Sequence, residues 1–496
     1  MSFDVIARGL ANRAQADLAQ LGRSATTRSL IAAIRSNGMF PKPLALAPAA
    51  DVPAVTLGAA NAASALNGRA AGNPLVLLSD ARLQWLSGPR SQDSNQAWQS
   101  RGAWYGASRD SSYASFEFVH VGTSFELCFV ASFASSTNNL RILVDDRVVW
   151  SGSMPQATGN LHYLGLTFPG LRTRRIRVEG AHGRYRGINV ANGAEIAATG
   201  RSYPLIAVMG DSFVEGTGAA QFQDGEAVSL VRCLGGSIAL GGVGGTGLLN
   251  PGTGGRVAWT DPVRMTDLTM AGVVDALGAA TAPMLGIVMM SLNDQGLANA
   301  FWSPFGSSFQ DAIRNRALAL IDGWKAANPG KPLVVFGPTW TSGTPLLDIY
   351  RLRDAAMEAC WSESAANVWF IDRLSPATAL RSGNRSFTST TGSLTTGSAV
   401  IPGIPSTIGI TISAGIEGAG IPAGARVVSV DSTTQVTISS PATVTGTGTP
   451  IVFRNDQAAL YQFGLTDITN PSQAGHNLDA LWMAQQLRGL ILGQFA

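Results

Sequence analysis

Short apolar runs alternate with helix-like segments in the second half of the chain. Five such runs lie at residues 205–209, 237–240, 285–290, 333–336 and 368–371. The clearest helix begins after Ser308, where Asp311 three residues later makes a capping pair, and it ends near Asn328. Strands that alternate with helices predict a parallel sheet with helices on both faces. We expect this α/β domain to comprise residues 201–386 and 455–496.

A different period precedes this domain. Residues 75–200 contain short runs in which apolar and polar positions alternate, as at residues 115–121 and 175–179. Asp145 and Asp146 separate two further runs and predict a hairpin turn. Strands at this spacing predict a jelly-roll β-sandwich. We interpret its aromatic residues as core, with a sugar-stacking platform as the alternative. These residues are Trp85, Trp98, Trp104, Tyr105 and Tyr113.

A third pattern interrupts the α/β domain. Residues 387–454 are rich in Thr, Ser, Gly, Val and Ile, and two alternating runs flank the turn-like residues 431–434. This composition predicts a small all-β insertion. Helical character returns at residues 473–490, which have a mostly apolar face. The pattern leaves glycan contact and subunit contact open as roles for the insertion.

The N-terminal region has two parts. Residues 1–40 predict a helix, because their apolar positions recur at helical spacing. The apolar face comprises Ile6, Leu10, Ala14, Leu18 and Leu21. Such a face needs a partner, which is either the rest of the chain or a structure to which the protein attaches. Residues 41–74 are rich in Ala, Pro and Gly with few charges, which predicts a linker or a loosely packed lead-in to the next domain.

Composition excludes several function classes. Of the 496 residues, 45% are hydrophobic and 14% charged, and the net charge of +3 is too small to predict a nucleic-acid partner. Cys128, Cys233 and Cys360 lie far apart in apolar settings, which predicts buried free thiols. Charged residues in the first turns argue against a secretory signal. Asp275 and Pro283 interrupt the most apolar long window, so no membrane span is predicted.

Small and polar residues follow three of the predicted parallel strands. Ser212 ends a Gly-Asp-Ser triplet after the first strand, the second strand leads into the glycine-rich residues 241–247, and Asn293 follows the third. The carboxyl ends of neighbouring parallel strands lie at one edge of a sheet. A serine that attacks a carbonyl needs N–H donors for the oxyanion, and a glycine loop with an Asn amide supplies them. These residues therefore predict an acyl-transfer site with Ser212 as nucleophile.

In this order the blocks resemble those of the SGNH (GDSL-type) hydrolases. Ser212, Gly245 and Asn293 match the family's serine, glycine and asparagine, and Asp467 matches the aspartate of the last block. Ser291 replaces the usual glycine of the third block. The resemblance covers about residues 203–385 and 455–496. It implies a flavodoxin-like three-layer α/β/α fold and a Ser-His-Asp mechanism. It also implies an oxyanion hole of the Ser212 and Gly245 N–H groups with the Asn293 amide, and neither cofactor nor metal.

The base position of the last block holds Asn470, where the family has histidine. An amide has no appreciable basicity, so it does not accept the serine proton near neutral pH. By analogy with other triads, loss of the histidine lowers turnover roughly 10⁶-fold. We therefore expect an inactive His-to-Asn form, and the intact surroundings favour a deliberate exchange over natural drift. His476 is predicted to project from a different turn of the final helix and not to substitute as base.

A β-sandwich ahead of such a domain resembles the arrangement in carbohydrate esterases that remove O-acetyl groups. Residues 3–12 and the Thr- and Gly-rich insertion resemble parts of phage tail proteins. We expect a homotrimeric tailspike or tail-fibre deacetylase in the virion, acting on acetylated capsular polysaccharide or O-antigen at the bacterial surface. Residues 1–40 would then attach to phage tail components, and host lysis would release the protein without a signal peptide. The alternatives are a non-catalytic glycan-binding adhesin and an O-acetyltransferase on the same scaffold.

Overall fold

The computed structural model describes most of the chain between residues 30 and 492. The described residues are 30, 46–48, 51–92, 97–100, 113–131, 139–155, 158–181, 183–273, 275, 277, 282–290, 292–339, 347–363, 367–374, 387–410, 412, 414–422, 425–454, 471 and 473–492. Several sequence predictions fall outside these residues. They are the helix of residues 1–40 apart from Leu30, the aromatic residues Trp104 and Tyr105, and the positions Ser291, Asp467 and Asn470.

The N-terminal half forms an eleven-stranded antiparallel sheet. Its strands are β1 (Ala54–Leu57), β2 (Val76–Leu77), β3 (Gln84–Trp85), β4 (Arg90–Gln92), β5 (Trp98–Ser100), β6 (Tyr113–Val130), β7 (Leu140–Val144), β8 (Arg147–Gly152), β9 (Leu161–Ala181), β10 (Arg184–Val190) and β11 (Glu195–Ala197). The long strands β6 and β9 pair with each other along most of their length. The first part of β6 also pairs with β3 and β11, and its second part pairs with β10.

The same division applies to β9, which pairs with β1 in its first part and with β7 in its second. The sheet therefore folds over a single apolar core that includes Phe116, Phe125, Leu164 and Ile176. The runs predicted as short strands are segments of two long strands, because each long strand serves both halves of the fold. Asp145 and Asp146, with φ of 51° and 67°, form the two-residue turn between β7 and β8, which confirms the predicted hairpin.

The described part of residues 41–74 does not form the predicted linker. Strand β1 pairs with β9, and the Glu126 carboxylate accepts hydrogen bonds from Ser64 Oγ at 2.5 Å and from the N–H of Ala65 at 2.9 Å. The prediction was wrong because four residues in an Ala- and Gly-rich segment are too few to show the period of a strand. Glu126, which accepts the hydrogen bonds from Ser64 and Ala65, lies about sixty residues away in the sequence.

The second half of the chain contains a five-stranded sheet whose neighbouring strands are all parallel. Its strands are β12 (Leu205–Gly210), β13 (Ser237–Gly242), β14 (Leu285–Met289), β15 (Leu333–Phe336) and β16 (Val368–Ile371). The helices are α1 (Ser212–Glu215), α2 (Glu226–Cys233), α3 (Pro262–Thr269), α4 (Asn299–Trp302), α5 (Phe309–Ala327), α6 (Leu347–Ser362) and α7 (Gln473–Leu492). A 3₁₀ turn spans Phe222–Asp224. The strand order β13-β12-β14-β15-β16 is that of flavodoxin-like sheets.

Helices cover both faces of this sheet. Along β12, Ile206 and Val208 pack in one core with residues of α2 and α7. The alternate residues Ala207 and Met209 pack in a second core with residues of α3, α5 and α6. Successive strand residues point to opposite faces, so the apolar run of β12 serves both cores. The predicted three-layer α/β/α arrangement and its five strands are confirmed within the described residues.

Residues 387–454 form two three-stranded antiparallel sheets. The strands are β17 (Phe387–Leu394), β18 (Val400–Ile401), β19 (Gly415–Gly418), β20 (Val427–Ser432), β21 (Gln435–Ile438) and β22 (Gly446–Arg454). They enclose their own apolar core, which includes Ile401, Ile416, Val436 and Phe453. The first residue of β17, Phe387, pairs with the last residue of β22, Arg454. The chain therefore enters and leaves this segment at neighbouring positions.

Buried ion pairs connect the antiparallel sheet to the α/β domain. Glu179 of β9 accepts hydrogen bonds from Arg141 of β7 at 2.6 Å and from Arg232 of α2 at 3.2 Å. Arg141 also donates to Asp224 at 2.8 Å. Burial raises the pKa of Glu179, but the guanidinium groups of Arg232 and Arg141 outweigh that effect and lower the pKa to about 2. The carboxylate is thus ionised at the junction.

The three cysteines are buried and free, as predicted. Burial raises the pKa of Cys128 and of Cys233 to about 11. None of the helices in the described ranges is long and apolar enough to cross a membrane.

Candidate active site

Ser212 lies at the turn between β12 and α1. Strand β12 ends at Gly210, and the Asp211 side chain accepts a hydrogen bond from the N–H of Phe213 at 2.9 Å, which caps α1. Helix α1 ends at Gly216, whose φ of 93° is left-handed. The α1 turn packs tightly on β13, because a Cβ atom at Gly242 would lie 2.2 Å from the Glu215 nitrogen. Ser212 is therefore held half-buried just after the carboxyl end of β12.

The loop after β13 passes next to Ser212. A Cβ atom at Gly244 would lie 3.5 Å from the Ser212 Cβ. The Gly244 N–H donates to Glu215 Oε2 at 2.9 Å, and the Gly244 carbonyl accepts from Arg256 Nη1 at 2.5 Å. We call Glu215, Gly244 and Arg256 the loop clamp. Within the described part of the chain, the Gly245 N–H has no hydrogen-bond partner, so it is the uncommitted loop donor beside the clamp.

Glu215 of the loop clamp is largely shielded from solvent, and this affects its pKa. Burial raises the pKa of Glu215, while the Gly244 N–H and the nearby guanidinium groups of Arg256 and Arg264 lower it by less. Arg264 is fully buried and donates to the carbonyls of Gly210 at 3.2 Å and Gly241 at 2.9 Å. One guanidinium thus holds the adjacent carboxyl ends of β12 and β13 together.

Asn293 follows β14 and reaches the same edge of the sheet. Its Nδ2 donates to Asp211 Oδ2 at 3.1 Å and to the Thr246 carbonyl at 3.2 Å. Both amide hydrogens therefore have acceptors in this structure. A negatively charged oxygen is a stronger acceptor than a neutral peptide carbonyl, so a bound oxyanion would compete well for the hydrogen directed at Thr246.

Asp294 fixes the loop from inside the protein. Its carboxylate is completely buried and accepts hydrogen bonds from the N–H groups of Leu248, Leu249 and Asn250, each at 2.9 Å. Burial raises the pKa of Asp294, and the three N–H groups oppose that effect. Asn250 in turn donates to the Asn293 carbonyl at 2.7 Å. The loops after β13 and β14 are therefore connected to each other.

His476 lies in α7, as predicted, and is fully buried. Its Nε2 contacts the Thr217 carbonyl at 3.0 Å, and its Nδ1 accepts from the N–H of Glu226 at 3.3 Å. The Glu226 carboxylate lies 3.7 Å from Nδ1. Both nitrogens thus have backbone partners other than Ser212. His120 and His162 belong to the antiparallel sheet, and burial lowers the pKa of His120 to about 4.

The structure therefore brings Ser212, the loop of Gly244 and Gly245, and Asn293 to neighbouring strand ends. Asp467 and Asn470 lie outside the described residues. The sequence analysis predicted no role for Asp211, Glu215 or Arg256. Asp211 belongs to the Gly-Asp-Ser triplet and therefore has a sequence signal, whereas Arg256 has none. Among the described residues, no group of three or more His, Cys, Asp or Glu side chains could hold a metal ion.

No family model matches the sequence, and no curated protein sequence is significantly similar to it. Solved structures give weak similarities. A salicylyl-acyltransferase, SsfX3, from a tetracycline biosynthetic pathway is 12% identical, with 61% of this chain and 86% of that chain covered and a TM-score of 0.47. A family two carbohydrate esterase from Cellvibrio japonicus is 14% identical, with coverages of 65% and 89% and a TM-score of 0.43.

An acetyl xylan esterase, Est2A, from the rumen bacterium Butyrivibrio proteoclasticus is 12% identical. Its alignment covers 59% of this chain and 87% of that chain, with a TM-score of 0.41. TM-scores this low, at such identities, do not establish a common fold. Any assignment of function therefore depends on the residues of this chain.

Proposed function

We propose that the α/β domain is an SGNH-type serine esterase that removes O-acetyl groups from a carbohydrate. The observation that carries the proposal is the convergence of Ser212, the Gly244–Gly245 loop and Asn293 at the carboxyl ends of three adjacent strands. This edge includes β12, where the strand order reverses, and ligands of such sheets bind there. Oxyanion donors held by Asp211 and the loop clamp fit acyl transfer better than hydride or phosphoryl transfer.

In the active form, Ser212 Oγ attacks the acetyl carbonyl, and a histidine at position 470, oriented by Asp467, accepts the serine proton. The N–H groups of Ser212 and Gly245 and the Asn293 amide stabilise the oxyanion. Collapse of this intermediate breaks the bond between the acetyl carbon and the sugar oxygen, the imidazolium donates its proton to that oxygen, and Ser212 is left acetylated. Water, deprotonated by the same histidine, then attacks the acetyl carbon. The bond to Ser212 Oγ breaks, the serine regains its proton from the imidazolium, and acetate leaves.

The carbohydrate part of the proposal is supported by the antiparallel β domain that precedes the α/β domain and is fixed to it by buried ion pairs. We extend the proposal to acetylated polysaccharides of bacterial surfaces, with the protein acting as a homotrimer on a phage tail. This extension is supported only by the sequence resemblance of residues 3–12 and of the Thr- and Gly-rich insertion to phage tail proteins. Binding of the isolated trimer to phage tail components through residues 1–40 would test it.

Asn470 favours one second candidate, a glycan-binding adhesin that has lost catalysis. Without a base, Ser212 is positioned for attack but its hydroxyl remains protonated. An acetylated sugar could still occupy such a site, because binding needs no proton transfer. The two candidates predict different results for Asn470→His. The esterase should then release acetate, whereas the adhesin should bind the glycan without releasing acetate.

The test compares the present chain, Asn470→His, and Asn470→His combined with Ser212→Ala. Substrates are an aryl acetate and an O-acetylated polysaccharide, and acetate release is measured. The esterase proposal predicts that Asn470→His raises turnover by several orders of magnitude and that Ser212→Ala removes the gain, because the hydroxyl and the base act together. Polysaccharide binding without acetate release from Asn470→His would instead support the adhesin.

A further inference from the structure

A groove of about 510 Å³ lies where the antiparallel sheet meets the α/β domain. Its lining includes Gln84, Trp85, Arg90, Arg201, Asp275 and Leu277. The charged side chains of Arg90, Arg201 and Asp275 lie in its wall together with the polar side chains of Ser79 and Gln84. A groove of this kind suits a hydrated, polar ligand better than an apolar one.

The groove is separate from the site around Ser212. Near its wall, the Ile238 N–H at the beginning of β13 donates to the Leu86 carbonyl at 3.0 Å. Asp275, in the connection that leads to the amino end of β14, pairs with Arg90 at 3.0 Å. The groove therefore lies at the amino ends of the parallel strands, whereas Ser212 follows the carboxyl end of β12.

Trp85 gives the groove a flat and rigid apolar surface. Its ring is parallel to that of the buried Phe116, with an interplanar angle of 4° and centroids 6.1 Å apart. The indole N–H donates to the Ser87 carbonyl at 2.8 Å, which fixes the ring in its plane. Trp85 is half-buried, and the part that does not cover the core lines the groove. The apolar C–H face of a pyranose ring matches such a surface, while its hydroxyls need polar neighbours.

Arg201 supplies a charged neighbour. Its side chain is 31% exposed, and its carboxylate contact within the described ranges is Asp146 at 4.0 Å, beyond hydrogen-bond distance. The backbone of Arg201 is fixed, since its carbonyl accepts from Gln84 Nε2 at 2.7 Å. Arg90 and Arg201 carry two positive charges and Asp275 one negative charge, so the lining has an excess of one positive charge. A guanidinium recognises carboxylates in a planar, two-point geometry.

We propose that this groove binds a pyranose chain that carries carboxylate groups, stacked on Trp85 and paired with Arg201. Binding here involves no ester chemistry and is independent of Ser212 and Asn470. The groove would bind the polysaccharide at the amino ends of the strands, whereas the site around Ser212, at their carboxyl ends, would bind the acetyl group.

Calorimetric titration of the full chain with hexagalacturonate tests the proposal, with cellohexaose as the neutral comparison. We expect submillimolar binding of hexagalacturonate and at least about tenfold weaker binding of cellohexaose. Trp85→Ala and Arg201→Ala should each weaken hexagalacturonate binding at least about tenfold, equivalent to about 1.4 kcal/mol. Trp361→Ala and Arg314→Ala are matched controls, because both side chains are more than one third exposed on other elements and should leave the affinity unchanged.

Trp85 also packs on the core, so Trp85→Phe is included to keep a ring on Phe116, and thermal unfolding shows whether each variant is folded. Arg201→Ala removes a partly exposed side chain and should therefore fold. It tests the proposal even if the Trp85→Ala protein is unfolded. The proposal is overturned if hexagalacturonate does not bind at millimolar concentration, or if cellohexaose binds equally well. Unchanged affinity in the folded Arg201→Ala protein would also overturn it.

Discussion

At the scale of single residues, the orientation of one peptide group decides whether the loop after β13 can stabilise an oxyanion. The carbonyl and N–H of a trans peptide point in opposite directions. Arg256 binds the Gly244 carbonyl, so the N–H of Gly245 in the same peptide points away from Arg256. A charged donor on the carbonyl also polarises the peptide and strengthens its N–H as a donor. Arg256 is therefore a positioning residue for the Gly245 N–H.

In an Asn470→His background, Arg256→Met should lower kcat for an aryl acetate by about 10- to 100-fold while KM changes little. The expected loss is smaller than the roughly 10²- to 10³-fold cost of deleting an oxyanion donor, because the N–H remains but is less well oriented. Arg256→Lys should restore part of kcat by keeping a charged donor. Steady-state kinetics measure both constants, with Arg314→Met as the control on α5. An Arg256→Met enzyme with unchanged kcat, or with a changed KM alone, would show that the clamp does not act on the transition state.

The sequence was sufficient to predict Ser212 and Asn293 as candidates, since each lies three residues after the end of an apolar run. It did not reveal the loop clamp, because Glu215 and Arg256 both bind the backbone of Gly244 and have no pattern of their own. It also did not show that the Asn293 amide already has two acceptors, which depends on how closely the loops approach each other.

At the scale of elements, the parallel strands and helix α5 were predictable. The strands are buried on both faces and appear as continuous apolar runs. Helix α5 is capped by Ser308, whose side chain accepts from the Asp311 N–H. The lengths of β6 and β9 were not predictable, because each has two sets of neighbours and its burial pattern changes along its length. Strand β1 was missed because four residues are too few for a periodic signal.

The junction between the two domains should depend on pH through Glu179. Its pKa in the folded protein, about 2, is below its ordinary value of 4.5, so its ion pairs stabilise the fold fully above about pH 4.5. That contribution is lost as the pH falls toward 2. Glu179→Gln leaves Asp224 as the remaining carboxylate beside Arg141 and Arg232, and it should lower the free energy of unfolding near neutral pH by an amount at the lower end of roughly 3–5 kcal/mol.

Urea unfolding near pH 7 and near pH 3 measures this effect. The difference between Glu179→Gln and the unaltered protein should be largest at the higher pH and shrink at the lower one. Glu358→Gln, a change in an exposed ion pair on α6, should alter stability by less than about 1 kcal/mol at either pH. Equal stability of the Glu179→Gln and unaltered proteins near pH 7 would show that the junction does not need this carboxylate.

At the scale of the whole molecule, residues 387–454 should be separable from the α/β domain. Their core is their own, and Phe387 and Arg454 are paired neighbours. Paired residues of antiparallel strands have Cα atoms about 5 Å apart, a gap that a few residues can span. Replacing residues 388–453 with a short Gly-Ser linker should leave the rest folded, with aryl acetate turnover in the Asn470→His background within about threefold of the full chain.

Circular dichroism, size-exclusion chromatography and the aryl acetate assay check this deletion. An aggregated product, or a folded product without turnover, would show that the segment supports the site and is not an independent unit. Activity on polysaccharide could still fall if the segment contacts glycan, and the small substrate avoids that complication.

Formation of an acetyl-enzyme at Ser212 is the most direct test of the central claim. The Asn470→His protein is mixed with an aryl acetate, quenched in acid within the first turnovers, digested, and analysed by mass spectrometry. The geometry around Ser212 predicts one added acetyl group on the peptide that contains Ser212, far less in the present chain, and none at that site in Asn470→His combined with Ser212→Ala. Acetylation at a different residue, or hydrolysis that persists without Ser212, would contradict the assignment of Ser212 as the nucleophile.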